Sequence, residues 1–302
     1  FEDGVDAAHE GALYRRGAYL ARYNHGVSGT GKLTPADVDG AFSAAQKVVD
    51  MHRALIGFVR PGLTLAQIDR FVATTLESMG TSSCFLGYRQ SLRGPKFPSH
   101  ACLSVNDCIV HGTAGSLSRG LLPGDLVKID IGVTYRGWIG DAAWTYSIGP
   151  ASPEVRRLMD AGKKSLTLGI EAFRVGEPLL HWAKAVERCV EKEYGFRLIR
   201  GLGGHGYGRR LHAEPFISNS VPSYAGEWPD GSMPCTPGML LALEPMIGVG
   251  TGKQRPSNGQ DWPVYTADGS LASHHEHDVL ITESGPRVLT EGLNELPDEL
   301  PV

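Results

Sequence analysis

The chain has 302 residues, 41% of them hydrophobic, a formal net charge of -4 and a pI near 6.3. That is enough apolar material for a real core in one or two domains, and the mild acidity carries no signature of nucleic acid or of an anionic membrane surface. No apolar run approaches the roughly 18 residues that span a bilayer, and "FEDGVDAAHE" has neither the basic flank nor the apolar core of a signal peptide. Cys84, Cys102, Cys108, Cys189 and Cys235 form no C-x-x-C pair. A disulfide framework or thiolate zinc site is not expected, and a reducing compartment is the simpler reading.

Residues 1 to 33 read as a loosely ordered N-terminal extension, and 34 to 302 as a single domain. Thr34 can cap a helix with Pro35 at its first position, and apolar periodicity runs from Val38 to Val59. After "RPG", Thr64 and Gln67 form a capping box, and Leu65, Ile68, Val72 and Leu76 line one face of a second helix. The same order returns later. Ser152-Pro153 opens a helix to about Phe173, "VGEP" breaks it, and another runs from Pro178 to Tyr194. "FVRPGLTLAQIDRFV" and "AFRVGEPLLHWAKAV" share the pattern of long helix, glycine break and shorter helix at an offset of 114 residues, which suggests two similar halves with a site between them.

Strand signals fill the remainder. "CLSVNDCIVHG" reads as two short strands around Asn106-Asp107, and "DLVKIDIGVTYRGWIGDAAWTYSIG" as a long hairpin turning at Arg136-Gly137. Further strands are expected near Met239 to Ile247 and His274 to Thr282. Helix pairs with antiparallel hairpins indicate an α+β fold.

Asp130 and Asp141 sit inside otherwise apolar strands, where an ionised carboxylate is costly unless paired or bound to a cation. If Tyr135 pairs with Trp138 across a two-residue turn, Asp130 faces Ala143, and Asp141 becomes its diagonal neighbour on the same face. Glu244 in "LLALEPM" and Glu276 in "SHHEHDVLI" repeat the anomaly. Four carboxylates with His205 carry more negative charge than one divalent ion needs and suit two bridged cations, with Mn, Fe or Co favoured by the oxygen-rich set. "GLGGHG" satisfies G-x-G-x-x-G, but "YGRRLHAEPFIS" after it has no helical period, so the dinucleotide context fails. Its glycines are expected to let the backbone approach a metal site closely.

Asp130, Asp141, His205, Glu244 and Glu276, in that order and in those local contexts, closely resemble the ligand set of the methionine aminopeptidases, type 1, within the pita-bread metallopeptidase family that includes aminopeptidase P and prolidase. The resemblance runs from about Ala41 to Thr290. It implies a pseudo-two-fold pita-bread fold and a dinuclear site in which Asp141 and Glu276 bridge the metals. Asp130 would complete one ion's shell, and His205 with Glu244 the other's. It implies hydrolysis of the N-terminal methionine by metal-activated hydroxide, with Glu244 taking the proton of the water. His111 would contact the peptide and aid catalysis, and His212 the scissile carbonyl.

By the same match, Phe85, Tyr88, Phe97, Cys102, Leu211 and Trp262 line the pocket for the methionine side chain. The short link from His212 to Glu244 fits type 1. Phe85 and Leu211 depart from residues common at those positions, Gln90 to Lys96 lengthen the pocket loop, and "VGTGKQRPSNGQDW" is a long, turn-rich connection. The implied partners are nascent polypeptide N-termini at the ribosome, with no nucleic acid or membrane partner, for a cytoplasmic monomer. On the residues alone, an Xaa-Pro peptidase of the same fold and an inactive binding paralogue stay open as alternatives.

Overall fold

The computed structural model describes residues 33–92, 94–255 and 262–302. The N-terminal extension therefore lies outside the described residues except for Leu33, as do Arg93 in the pocket loop and 256–261 in the late connection.

Helix α1 spans Pro35–Ile56 and α2 spans Leu65–Ser78. Thr34 and Thr64 cap them as expected, and both form capping boxes, Thr34 doing so with Asp37. Thr34 Oγ1 accepts from the Asp37 amide while the Asp37 carboxylate accepts from the Thr34 amide, and Thr64 and Gln67 do the same. Each box satisfies amides that the first helical turn leaves without partners. Helix α1 stops three residues short of Val59, because the Arg60-Pro61 step disfavours helix at the residue before proline.

The first half then builds its strands: β1 Ser82–Ser83, β2 Cys102–Val105, β3 Cys108–Val110, β4 Leu126–Tyr135 and β5 Trp138–Ile148. The β4–β5 hairpin has the expected register, Tyr135 opposite Trp138, Asp130 opposite Ala143 and Gly132 opposite Asp141. Arg136 at φ 50° and Gly137 at φ 79° supply the two left-handed residues of the tight turn. Strands β2 and β3 flank Asn106-Asp107 as read, but each takes another partner: β2 pairs with β4, and β3 with β11 (Val264–Tyr265).

In the second half, α3 spans Pro153–Glu171, capped by Ser152, and α4 spans only Leu180–Glu187. The expected helix to Tyr194 continues as wider π turns over Arg188–Glu193. Strands β6 Arg197–Leu198, β7 Gly203–Gly206, β8 Ala213–Ser218, β9 Leu240–Leu243 and β10 Met246–Gly248 precede β11. After it come β12 Ala272–His274, β13 His277–Thr282, β14 Gly285–Val288 and β15 Glu299–Leu300. The two late strands of the sequence reading are thus each broken in two, at Glu244-Pro245 and at His275-Glu276. Pro245 cannot donate to a ladder, which accounts for the first break.

There are two five-stranded sheets: β1, β2, β4 and β5 of the first half joined by the C-terminal β15, and β14, β13, β9, β7 and β8 of the second half. Pairing within them is antiparallel except between β15 and β5. The main core lies between the helices and these sheets, around Trp144, Trp182, Leu103 and Val279. A smaller apolar cluster holds Phe85, Phe97, Cys102 and Leu211. This is the two-half α+β arrangement expected above, and the strands that carry the acidic residues meet where the halves face each other. Among the described residues no helix is long and apolar enough to cross a membrane.

Candidate metal centre

The hairpin register puts Asp130 and Asp141 on one face as diagonal neighbours, and both turn a carboxylate oxygen into buried space where it finds no hydrogen-bond partner. Cys102 stands directly opposite Asp130 across the β2–β4 ladder, so the thiol lies beside the carboxylate. Glu244 and Glu276 occupy the two strand breaks. There the chain turns and a side chain can leave the sheet plane.

His205 lies on β7, 4% exposed. Its Nδ1 donates to the Gly206 carbonyl at 3.1 Å, which leaves Nε2 with its lone pair forward, 3.9 Å from Asp141 and 3.7 Å from Glu244. The glycines around it answer to neighbouring strands, not to a metal. A Cβ on Gly204 would lie 2.1 Å from the Ala242 carbonyl oxygen, and Gly203 and Gly206 are crowded in the same way by the backbone of β8. The expectation that they serve close approach to an ion is corrected: they let three strands pack around His205.

Burial governs the electrostatics. It lifts Asp130 and Glu244 to about 7 and holds Asp141 and Glu276 well above the ordinary carboxylate range, with the neighbouring carboxylates adding to the effect for Asp141 and Glu276. Burial also pushes the His205 imidazole down, so it is a neutral donor at physiological pH. Such a crowd of buried acids, with orphaned oxygens and a neutral imidazole lone pair among them, fits divalent cations. Asp141, His205 and Glu276 bring their ligand atoms within 4.8 Å of one another.

Two residues at this centre escaped the sequence reading. His274, the last residue of β12, has its Nε2 3.1 Å from Glu244 and 3.8 Å from Glu276. Asp278, fully buried on β13, accepts the Asp141 amide at 2.9 Å. His274 was concealed by its neighbours in "HHEH". His275 instead packs edge-on against Trp144, and His277 bonds Thr290 and Asn294.

One cleft of about 470 Å³ is lined by every candidate residue named from the sequence. Phe97 packs edge-on against Phe85 and Trp262, with centroids 6.2 and 5.1 Å away, and Leu211 and Cys102 close the apolar side. His212 lies 4.3 Å from His205 and 5.0 Å from Tyr88, ring to ring. His111 enters from the opposite wall at φ 58°, a conformation costing about 1 kcal/mol or more for a residue other than glycine.

The profile of metallopeptidase family M24 matches residues 39–283. The methionine aminopeptidase of Aquifex aeolicus is 36% identical over 255 residues, 84% of this chain and 96% of that one. Methionine aminopeptidase 1 of Mycobacterium tuberculosis is 38% identical over 262 residues, covering 85% and 93% respectively. Among solved structures, the methionine aminopeptidase of Thermotoga maritima superposes with a TM-score of 0.76 at 30% identity, covering 86% of this chain and 98% of that one. The pita-bread arrangement of the two halves and the acidic centre between them define a metal-dependent peptidase. The chain belongs to metallopeptidase family M24.

Proposed function

We propose that this enzyme removes the N-terminal methionine from peptides and nascent proteins. The observation that carries the reading is the sharing of one chamber: the five candidate ligands and the apolar wall of Phe85, Phe97, Cys102, Leu211 and Trp262 open onto the same cleft. A slot for an uncharged side chain therefore adjoins the residues suited to hydrolysis, as the names of the most similar relatives lead one to expect.

Asp130, Asp141, His205, Glu244 and Glu276 would hold two divalent cations, with Mn, Fe or Co suited to the oxygen-rich set. Bound there, the cations polarise a carbonyl oxygen and activate water as a nucleophile near neutral pH. Glu244, whose carboxylate opens onto the same cleft, is the residue placed to take the proton of the water. His212 stands over the same floor as His205, within reach of a scissile carbonyl oxygen, and donates a hydrogen bond to it. His111 meets the peptide from the other wall, beside Trp262, and steadies the scissile amide. Tyr88 and Phe97 complete the slot that orients the first side chain.

The reading carries with it nascent chains met at the ribosome, a cytoplasmic setting and a monomeric enzyme. Ribosome co-sedimentation and gel filtration test the first and last of these. The decisive experiment is a peptide panel varying the first two residues, run with Mn, Co and Fe and after chelation. Cleavage after methionine that disappears on chelation and returns with added cation is expected. Cleavage indifferent to chelation, or confined to peptides with proline second, would overturn the reading.

A further inference from the structure

His274 is held at the centre as firmly as the five residues that resemble a ligand set. Its side chain is 2% exposed. Its main chain is clamped on both sides by Thr145 of β5: Thr145 Oγ1 donates to the His274 carbonyl at 2.6 Å and accepts from the His274 amide at 3.0 Å. Ladder pairing with Met246 of β10 fixes the residue from the other edge. These contacts fix the backbone from which the imidazole reaches Glu244, with Nε2 at 3.1 Å.

The ligand atoms fall into two triads that share Glu276. One is Asp141, His205 and Glu276; the other is Glu244, His274 and Glu276. Each offers one imidazole and two carboxylates with ligand atoms within 4.8 Å of one another. Donors bound to one ion at about 2.0–2.2 Å sit roughly 3–3.6 Å from each other. The His274 separations, 3.1 Å to Glu244 and 3.8 Å to Glu276, are close to that span. Independently, Asp130 and Asp141 each leave a buried carboxylate oxygen without a hydrogen-bond partner at the same centre.

We propose that His274 is a sixth metal ligand, so that the two cations together receive two imidazoles, those of His205 and His274. This rests on the dinuclear peptidase reading. An added nitrogen donor favours Co, Fe or Zn over harder, oxygen-preferring ions at the second position.

X-ray absorption at the cobalt edge of the protein loaded with two equivalents of Co counts imidazoles by their outer-shell scattering. The wild-type chain is expected to give one imidazole per cobalt, and His274→Gln one per two cobalts. Glutamine keeps a hydrogen-bond donor toward Glu244, so the variant separates ligation from mere orientation of that carboxylate. Calorimetric titration should show the second Co equivalent binding at least tenfold more weakly in His274→Gln, and Mn less affected. An unchanged imidazole count in the variant overturns the proposal and leaves His274 orienting Glu244. If the variant does not fold, the wild-type count decides: one imidazole per two cobalts overturns it. A wild-type chain that binds no cation is a different failure, that of the peptidase reading itself.

Discussion

Gly204→Ala is the most direct test of how the fold positions the metal centre. Gly204 precedes His205 on β7, and its added Cβ would lie 2.1 Å from the carbonyl oxygen of Ala242 on β9. Ordinary contact begins at 3.4 Å, so the two strands must separate by 3.4 − 2.1 = 1.3 Å at that point. His205 lies opposite Ala242 in this ladder, and Glu244 follows two residues further along. The strain falls on the spacing of two candidate ligands. Overpacking of this kind costs about 3 kcal/mol, which for a chain of this size lowers Tm by roughly 5 °C. Misplacement by about 1 Å at a reacting centre costs on the order of 10²-fold in kcat/KM. Gly57→Ala is the control: its backbone is already right-handed at φ −81°, and its Cβ meets nothing closer than 3.6 Å. That variant should match the wild type or gain about 0.5 kcal/mol. Denaturant unfolding and methionyl-peptide turnover measure both. If Gly204→Ala is as stable and as active as Gly57→Ala, the crowding does not position the ligands and the reasoning is wrong.

Other outcomes follow from the same geometry. Asp141→Asn should abolish turnover and weaken cation binding by calorimetry, yet raise the stability of the chelated protein, because it removes a carboxylate from a crowd of like charges. For the chelated chain, Asp130 and Glu244 are raised to about 7, so they lower its stability progressively between about pH 4 and pH 7, the folded state holding protons that the unfolded state has lost. Bound cations displace those protons; the Tm gain from Mn should therefore widen from pH 5 to 7 and level off above, and a gain that shrinks over that window would contradict the assignment. Asp278→Ala leaves the Asp141 amide buried without its acceptor and should cost about 1–3 kcal/mol in denaturant unfolding, while Asp278→Asn, which keeps an acceptor oxygen, should cost less. Leu211→Ala opens the apolar side of the cleft and should cut the kcat/KM preference for methionine over larger first residues by about 10-fold or more.

The residues that were legible are those whose signal is local. The Arg136-Gly137 turn dictates the hairpin register, and the register alone brings Asp130 and Asp141 to one face. The cap at Thr34 with Pro35 after it and the capping box at Thr64 likewise announce both helix starts. What was not legible depends on contacts across the chain. Asp278 looks like one polar residue in "HDVLI", and its partner, the Asp141 amide, lies 137 positions away. Three histidines crowd "HHEH", and the bend at His275-Glu276 determines which one faces Glu244. A periodicity argument runs straight through that bend, just as it ran through Glu244-Pro245, although the proline there does announce a break. The π turns after Glu187 keep the helical spacing of apolar residues nearly intact, and so leave no mark in the pattern.

The acidic centre poses a physical problem that its tethers resolve. Like charges at this spacing should push apart when no cation is bound, and flexible side chains would comply. Here the main chain of nearly every participant is tied elsewhere. The Asp141 amide donates to Asp278, and the Glu276 amide donates to the Ala143 carbonyl at 2.8 Å. The Glu244 carbonyl accepts from Asn219 at 2.8 Å, and Thr145 grips His274 on both sides. His205 is oriented by its own bond to Gly206. Several of these ties join the two halves of the fold, from β5 to the segment around Glu276, so the backbone of the centre is held by the sheet interface against that repulsion. Cations held by carboxylates from both halves would therefore stabilise the junction between them by mass action.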